Sequence, residues 1–372
     1  MIGHKRIPSR EGGVEIVVDE LATRLVARGY QVDAYNRYER PDAHKKRVKE
    51  PKRKLHNGIR VINIKTFRND KLNAIVYAAS ATLQAIFGGY DVIHYHAEGP
   101  CIMLRIPRLF GIRVVATIHG LDWQRAKWGG FASKMLKFGE KTAAKKANEV
   151  IVLSQNVKEY FQSTYRREVN FVPNGVVKLM NQSPCIITER YGLQGNDYIL
   201  FLARLVPEKG LHYLVDAYNQ ITSENKTQGK KLVIAGGHGH VSEYAERIRN
   251  DVAGNENIIM AGFIHGNELT ELCSNAYLFV LPSDIEGMAI SLLEAMSYGN
   301  CCLVSDIPEN AEVVEEAAIS FQRGDVADLK EKIEFLLTNP EIVEKYRIGS
   351  SDFICKKYDW EEVVEQTVRL YS

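Results

Sequence analysis

Short apolar runs alternate with apolar positions at helical spacing along the whole chain. The runs DVIHYH (91–96), RVVATIHG (113–120), EVIVLS (149–154), NFVPNG (170–175), YILFLARL (198–205), KLVIAGG (231–237), NIIMAGF (257–263) and YLFVLPS (277–283) have the length and composition of buried strands. Helical patterns fall between them. The first places Val14, Val17, Val18, Leu21 and Leu25 three or four apart, with Gly29 as a stop. Strands alternating with helices predict βαβ units, parallel sheets and an α/β fold. The opening MIGH is shorter than a central strand should be, which points to missing upstream residues or a misassigned start. The polar stretch 173–197 contains two prolines and several glycines and precedes a fresh strand pattern. It predicts a first domain over 1–175, a hinge or linker over 176–197 and a second domain over 198–355. The end of the chain, from about Glu341, reads as helix with an interruption near Tyr358-Asp359-Trp360, leaving 356–372 as a final helical segment.

Composition narrows the class. A chain of 372 residues, 45% hydrophobic and 25% charged, suits two soluble globular domains. It has no run of 18 or more apolar residues, and its start lacks the apolar core of a secretory signal, so a cytoplasmic location is expected. The six cysteines form no C-x-x-C pair and read as reduced thiols in or near cores, with zinc and disulfides disfavoured. Charge divides the chain. Residues 1–172 carry 31 Lys and Arg against 16 Asp and Glu, whereas residues 173–372 carry 17 against 30. A basic first domain favours an anionic partner. The densest run, HKKRVKEPKRK (44–54), has no interleaved aromatics, which argues against nucleic acid and leaves a solvated loop or a patch for an acidic membrane surface.

Several residues are placed for chemistry. Gly12-Gly13 opens the first helix after a very short strand, where backbone N–H groups attract phosphate; a tight turn explains the pair equally. Arg204 ends a strand and Lys209-Gly210 opens a helix, which makes a diphosphate clamp at the carboxyl end of a strand. Pro282-Ser283 ends another strand, Glu286-Gly287 sits in the turn, and a helix runs from about Ala289 to Tyr298. Glu294 falls in that helix among Leu292, Leu293, Ala295 and Met296, where a buried carboxylate needs a cation or a ligand such as a ribose diol. Glu286 would touch a reacting sugar, and the amides of Gly287, Met288 and Ala289 would hold phosphate; an ordinary helix glutamate and a loop glutamate are the plain alternative. His94 and His96 lie on one side of a strand and read as core or acceptor-site histidines in preference to a metal pair. Asp122 would orient a neighbouring histidine or serve as an acceptor base. Trp123 and Trp128 would form an acceptor platform or pack their loop, and Gly236 to His240 reads as a turn.

Together, the E-x7-E pair, the R-x4-K pair, the run from Gly262 to Ser283 and the Gly-Gly loop resemble retaining glycosyltransferases of family 4, with the GT-B fold. GHKRIPSREGG and HGLDWQRAKWGGF (119–131) resemble the subgroup that makes bacterial surface polysaccharides, some of whose members are rhamnosyltransferases. The resemblance implies two Rossmann-like domains with parallel sheets facing a central cleft, and a C-terminal helix returning to the first domain. It implies that Arg204 and Lys209 bind the donor diphosphate, Glu294 the nucleotide ribose, Glu286 the transferred sugar and His119 the donor sugar near the reaction centre. Gly12 and Gly13 would face the diphosphate and acceptor, and Ile264 the base. His96, Asp122 and Trp123 are candidates for the acceptor side. Met288-Ala289 departs from the family pattern, where an aromatic or leucine precedes glycine or proline.

The implied enzyme is a hexosyltransferase, retaining and metal-independent, with a nucleotide-diphosphate sugar such as dTDP-rhamnose as substrate and no cofactor. Its acceptor would be a polyprenyl-diphosphate-linked saccharide. No nucleic acid is involved, and the protein would be cytoplasmic or peripheral on the inner face of the plasma membrane. A nucleotide-sugar epimerase would leave the basic face and the 121–131 loop without a task. A non-catalytic nucleotide-sugar-binding partner of another transferase would have no need of His119, Arg204, Lys209, Glu286 and Glu294 together.

Overall fold

A computed structural model describes residues 1–39, 53–66, 70–124, 130–237 and 243–372. The chain divides into two compact units, one of residues 1–175 with 360–372 and the other of residues 176–359. In chain order the first unit contains β1 (Asp33–Glu39), β2 (Arg53–His56), β3 (Ile59–Thr66), β4 (Val92–His96), β5 (Arg113–Ile118), β6 (Glu149–Val152) and β7 (Asn170–Phe171). The second contains β8 (Tyr198–Leu202), β9 (Lys231–Ala235), β10 (Ile258–Gly262), β11 (Leu278–Leu281), β12 (Cys302–Ser305) and β13 (Ile319–Phe321).

In the first unit β1, β3 and β2 run side by side, as do β4, β5, β6 and β7. The opening residues join the two groups. Ile2 bridges in parallel to Tyr35 on β1 and to Tyr95 on β4, so a single residue occupies the central position where a full strand was expected. All described pairings here are parallel except β2 with β3, a hairpin closed by Asn57-Gly58, both at positive φ. The helix Gly13–Ala27 buries Val17, Val18, Leu21 and Leu25, the face its spacing predicted.

The second unit is an all-parallel sheet in the order β10-β9-β8-β11-β12-β13. Counted from β8, this is the doubly wound order 3-2-1-4-5-6, which reverses direction between β8 and β11. Its strands are near-continuous apolar runs because helices cover both faces. Phe201, Leu211, Leu214, Tyr218 and Leu303 are fully buried in that core.

The 176–197 segment is not a free linker. Val176 bridges to Asp359, and the N–H of Leu179 donates to Ser297 Oγ at 3.0 Å. The helix Ile186–Tyr191 is tied down where Cys185 N and Ile187 N both donate to Glu271 Oε2. The chain passes between units at Gly175–Val176 and returns at Asp359–Trp360. The final segment resolves into helices Pro340–Arg347, Ser350–Lys357 and Trp360–Arg369, and only the last belongs to the first unit. All six cysteines are free; Cys185 is exposed, unlike the buried Cys101, Cys273, Cys301 and Cys302. No helix of the described residues is long and apolar enough to cross a membrane. Within the basic run 44–54, residues 44–52 lie outside the described residues, as do Trp128 and His238 to His240.

Candidate functional site

In the second unit the candidates gather where the sheet order reverses. The loop after β8 carries Arg204 and a short 3-10 turn, Pro207–Lys209; Gly210 then caps the helix Leu211–Ser223. Gly210 has φ +65°, and a Cβ there would lie 1.8 Å from the carbonyl oxygen of Pro282. Only glycine allows this approach, which lays the Lys209 turn against the end of β11. The result is a contact between residues 77 apart in sequence. Lys209 Nζ donates to Glu286 Oε1 at 2.5 Å, and Ser283 Oγ donates to the same oxygen at 2.6 Å. Ser283 is held in turn, since its carbonyl accepts from Ser305 Oγ at 2.5 Å. Among the described residues, Glu286 Oε2 makes no hydrogen bond, and the Arg204 guanidinium has neither a hydrogen bond nor an ion pair. A half-buried, uncommitted guanidinium in the same loop as a lysine, after the carboxyl end of a parallel strand, can neutralise a bound anion.

Of the two glutamates read in the sequence, the buried one is Glu286, not Glu294. Glu286 is 7% exposed and finds its cation in Lys209. Glu294 lies on the helix Ile290–Ser297 and is half-buried, while Leu292, Leu293, Ala295 and Met296 are buried around it. Sequence spacing alone did not separate the outer edge of that helix from its core face. Met288 and Ala289 are nearly buried, and Ala289 is the extended residue before the helix. Ile264 follows β10 and is buried, beside the exposed Phe263. Glu208 was passed over in the sequence. It is buried between two cations in the chain, and neither carboxyl oxygen has a hydrogen bond among the described residues.

In the first unit, His119 follows β5. Its Nε2 lies 3.1 Å from His96 Nδ1. His96 has no exposed surface, so its ring stands behind His119 and does not itself face solvent. Burial pushes the imidazoles of His94 and His96 well below the usual histidine range, so both are neutral. Gly12 caps the first helix and Gly13 begins it, but Glu15 folds back over this end. A Cβ on Gly12 would lie 2.3 Å from Glu15 Oε2, and Glu15 Oε1 accepts from Lys5 N at 2.8 Å. This helix terminus therefore carries its own carboxylate, which opposes a phosphate there.

Asp122 begins the turn Asp122–Gln124. Trp123 packs its loop: Nε1 donates to Glu140 Oε2 at 2.9 Å, and Lys137 Nζ lies 3.8 Å from the ring centroid. Glu140 also accepts from Tyr160 at 2.9 Å and Tyr165 at 2.5 Å. Beside it Glu98 is fully buried. Burial, then the negative charges of Asp122 and Glu140, raise its carboxyl to about 10, so it is protonated at neutral pH. Nothing local in the sequence marks Glu98 and Glu140, because folding brings them together from separate elements.

The family described as glycosyl transferases group 1 matches residues 187–365, and glycosyltransferase family 4 matches residues 11–177. A UDP-Gal:alpha-D-GlcNAc-diphosphoundecaprenol alpha-1,3-galactosyltransferase of Escherichia coli is 30% identical over 59% of each chain. Sucrose-phosphate synthase from Thermosynechococcus elongatus superposes with a TM-score of 0.81 at 22% identity, covering 97% of this chain and 93% of that one. HepE of Anabaena, in complex with UDP-glucose, gives 0.77 at 17% identity, covering 98% and 97%. The first unit thus matches glycosyltransferase family 4, the second matches glycosyl transferases group 1, and the chain has the α/β fold of GT-B glycosyltransferase structures.

Proposed function

We propose that the protein transfers a sugar, with retention, from a nucleotide-diphosphate donor held on its second unit. The observation that carries this reading is the meeting of Lys209 and Glu286 across the β8–β11 reversal, with Arg204 uncommitted in the loop that leads from β8 to Lys209. The leaving nucleoside diphosphate departs with negative charge, and Arg204 and Lys209 stabilise it without a metal ion. Glu286 holds Lys209 through Oε1 and offers Oε2 to a sugar hydroxyl. Glu294 takes the ribose, Ile264 and its neighbours the base, and the amides of Gly287 to Ala289 a phosphate. His119 acts at the donor sugar. Asp122 stands on the acceptor side, and Trp123 shapes that loop from behind. Gly12 and Gly13 contribute close backbone approach, against the charge of Glu15.

The Escherichia coli relative is named for UDP-galactose and a diphosphoundecaprenol acceptor, and HepE was captured with UDP-glucose. These support a UDP-sugar as the first donor to test and a lipid-linked saccharide as acceptor, with dTDP-rhamnose as the competing donor. Thermal shifts with UDP-, GDP-, ADP- and dTDP-sugars, each against its free nucleotide, test the reading. One sugar nucleotide should raise the melting temperature above its nucleotide alone, and Arg204→Ala should abolish that rise. No shift with any of them, in the presence of acceptor lipid, would overturn the donor site.

A further inference from the structure

Three histidine rings, His94, His96 and His119, run in a chain through the first unit, and only His119 has a part in the proposed transfer. His94 and His96 stand two apart on β4, on one face, with ring centroids 4.2 Å apart and planes at 28°. His94 Nδ1 lies 2.8 Å from the Tyr371 hydroxyl, and its Nε2 lies 2.7 Å from Thr117 Oγ1. His96 Nδ1 meets His119 Nε2 at 3.1 Å, whereas His96 Nε2 is buried and has no hydrogen bond among the described residues. The backbone of His96 is clamped as well. Its N–H donates to Ile2 O at 2.8 Å, and a Cβ on Gly3 would lie 1.9 Å from its carbonyl oxygen.

A neutral imidazole carries one N–H, and the hydrogen bonds around the ring decide which nitrogen has it. For His96 there are two choices. A proton on Nε2 would be a buried donor with no acceptor. A proton on Nδ1 leaves Nε2 as a bare lone pair and gives His119 a donor. Orphaned buried donors are rarer than under-used acceptors, so the proton belongs on Nδ1. His96 then donates to His119 Nε2, and a neutral His119 must carry its own proton on Nδ1.

We infer that His96 is a positioning residue that fixes His119 in its Nδ1–H form, so that His119 presents a hydrogen-bond donor on the side turned away from His96. The inference deepens the reading of His119 as a residue acting at the donor sugar. It makes that ring a donor to a substrate oxygen and removes Nε2 as a general base, because that lone pair is already engaged. Tyr371 and Thr117 hold the far end: the Tyr371 hydroxyl meets His94 Nδ1, and the Thr117 hydroxyl meets His94 Nε2.

The test is nitrogen-15 NMR of the histidine-labelled full chain, in which long-range proton–nitrogen correlations distinguish protonated from bare ring nitrogens. Protonated Nδ1 and bare Nε2 are expected at both His96 and His119. A protonated Nε2 on either ring overturns the inference. Kinetics supply the second arm. His96→Ala should lower kcat at least about tenfold, with a smaller change in donor KM, as a wrongly held imidazole does. His96→Asn, whose amide N–H stands near the Nδ1 position, should restore much of it. Unchanged kcat in His96→Ala would also overturn the inference. The NMR arm uses the unaltered protein without substrate, so it stands even if the alanine variant fails to fold. It is also separate from the reading of His119 itself, which fails if His119→Ala retains full turnover.

Discussion

Glu286 holds two donors on one oxygen, and this decides what its loss would do. Glu286→Gln keeps the size and a carbonyl for Ser283 but leaves Lys209 without its counter-charge. Removing one member of a mostly buried pair is destabilising. Because Lys209 keeps 14% of its side-chain exposure, the cost should be about 1–3 kcal/mol, less than for a sealed pair. Transfer should fall about 10²–10³-fold, as when a group aimed at a developing charge is lost. Steady-state rates with the preferred donor, together with chemical denaturation, check both parts. A folded variant with undiminished turnover would remove Glu286 from the reaction centre.

A second residue-scale prediction concerns Glu98. Its carboxyl titrates at about 10 in the folded chain, against an ordinary value of 4.5. The folded state therefore binds the proton more tightly than the unfolded state does. The stability tied to that proton is fully present below pH 4.5 and is lost progressively as pH rises towards 10. Glu98→Gln cannot ionise in either state. It should be more stable than the parent at pH 8, by about 1–3 kcal/mol, and the gap should close towards pH 5. Melting temperatures of both proteins across this range check it, and a gap independent of pH would contradict it. Neither glutamate's state was legible in the sequence. Glu294 looked buried because its neighbours are apolar, yet a helix turns residues 292 to 296 to different sides. Glu286 looked like a loop residue, yet Gly210 brings a lysine to it from the turn that follows another strand.

At the scale of elements, all eight quoted strand runs form strands, because a strand covered on both faces must be apolar throughout. Their ends were less legible: NFVPNG forms only the two-residue β7, since Pro173 has no N–H to donate. The 176–197 segment read as a linker because its fixing partners, Ser297 and Glu271, lie about 100 residues away and leave no local signal. The sharpest element-scale prediction is at Gly210. Alanine there meets both an unfavourable φ and the Pro282 carbonyl, so the turn must move. Gly210→Ala should cost about 1–3 kcal/mol and should weaken donor binding by displacing Lys209. Calorimetric titration with the preferred nucleotide measures the second effect. Binding at full strength would show that the Lys209–Glu286 contact does not depend on this turn.

At the scale of the whole molecule, the segment 360–372 belongs to a unit whose other residues end at 175. What holds it there is spread along its length. Trp360 is 5% exposed, and its ring lies where a Cβ on Gly175 would be, 2.4 Å away. The Arg24 guanidinium stands 4.9 Å from the Trp360 ring centroid, and Arg28 pairs with Glu361 at 2.6 Å. Arg113 Nε donates to Leu370 O at 2.9 Å, and Tyr371 reaches His94. Burial of one tryptophan of this kind is worth about 3–5 kcal/mol, a large share of the 5–15 kcal/mol that holds a typical domain. A chain ending at Asp359 should therefore lose hydrogen-exchange protection in the helix Gly13–Ala27 and in β4, while β8 to β13 keep theirs. The preferred donor at a hundred times its Kd should still stabilise the second unit by about 2.7 kcal/mol. If protection is instead lost evenly through both units, they unfold together and the terminal segment supports the whole chain. If neither unit loses protection, the contacts of Trp360 and Tyr371 are dispensable, and His94 must keep its orientation through Thr117 alone.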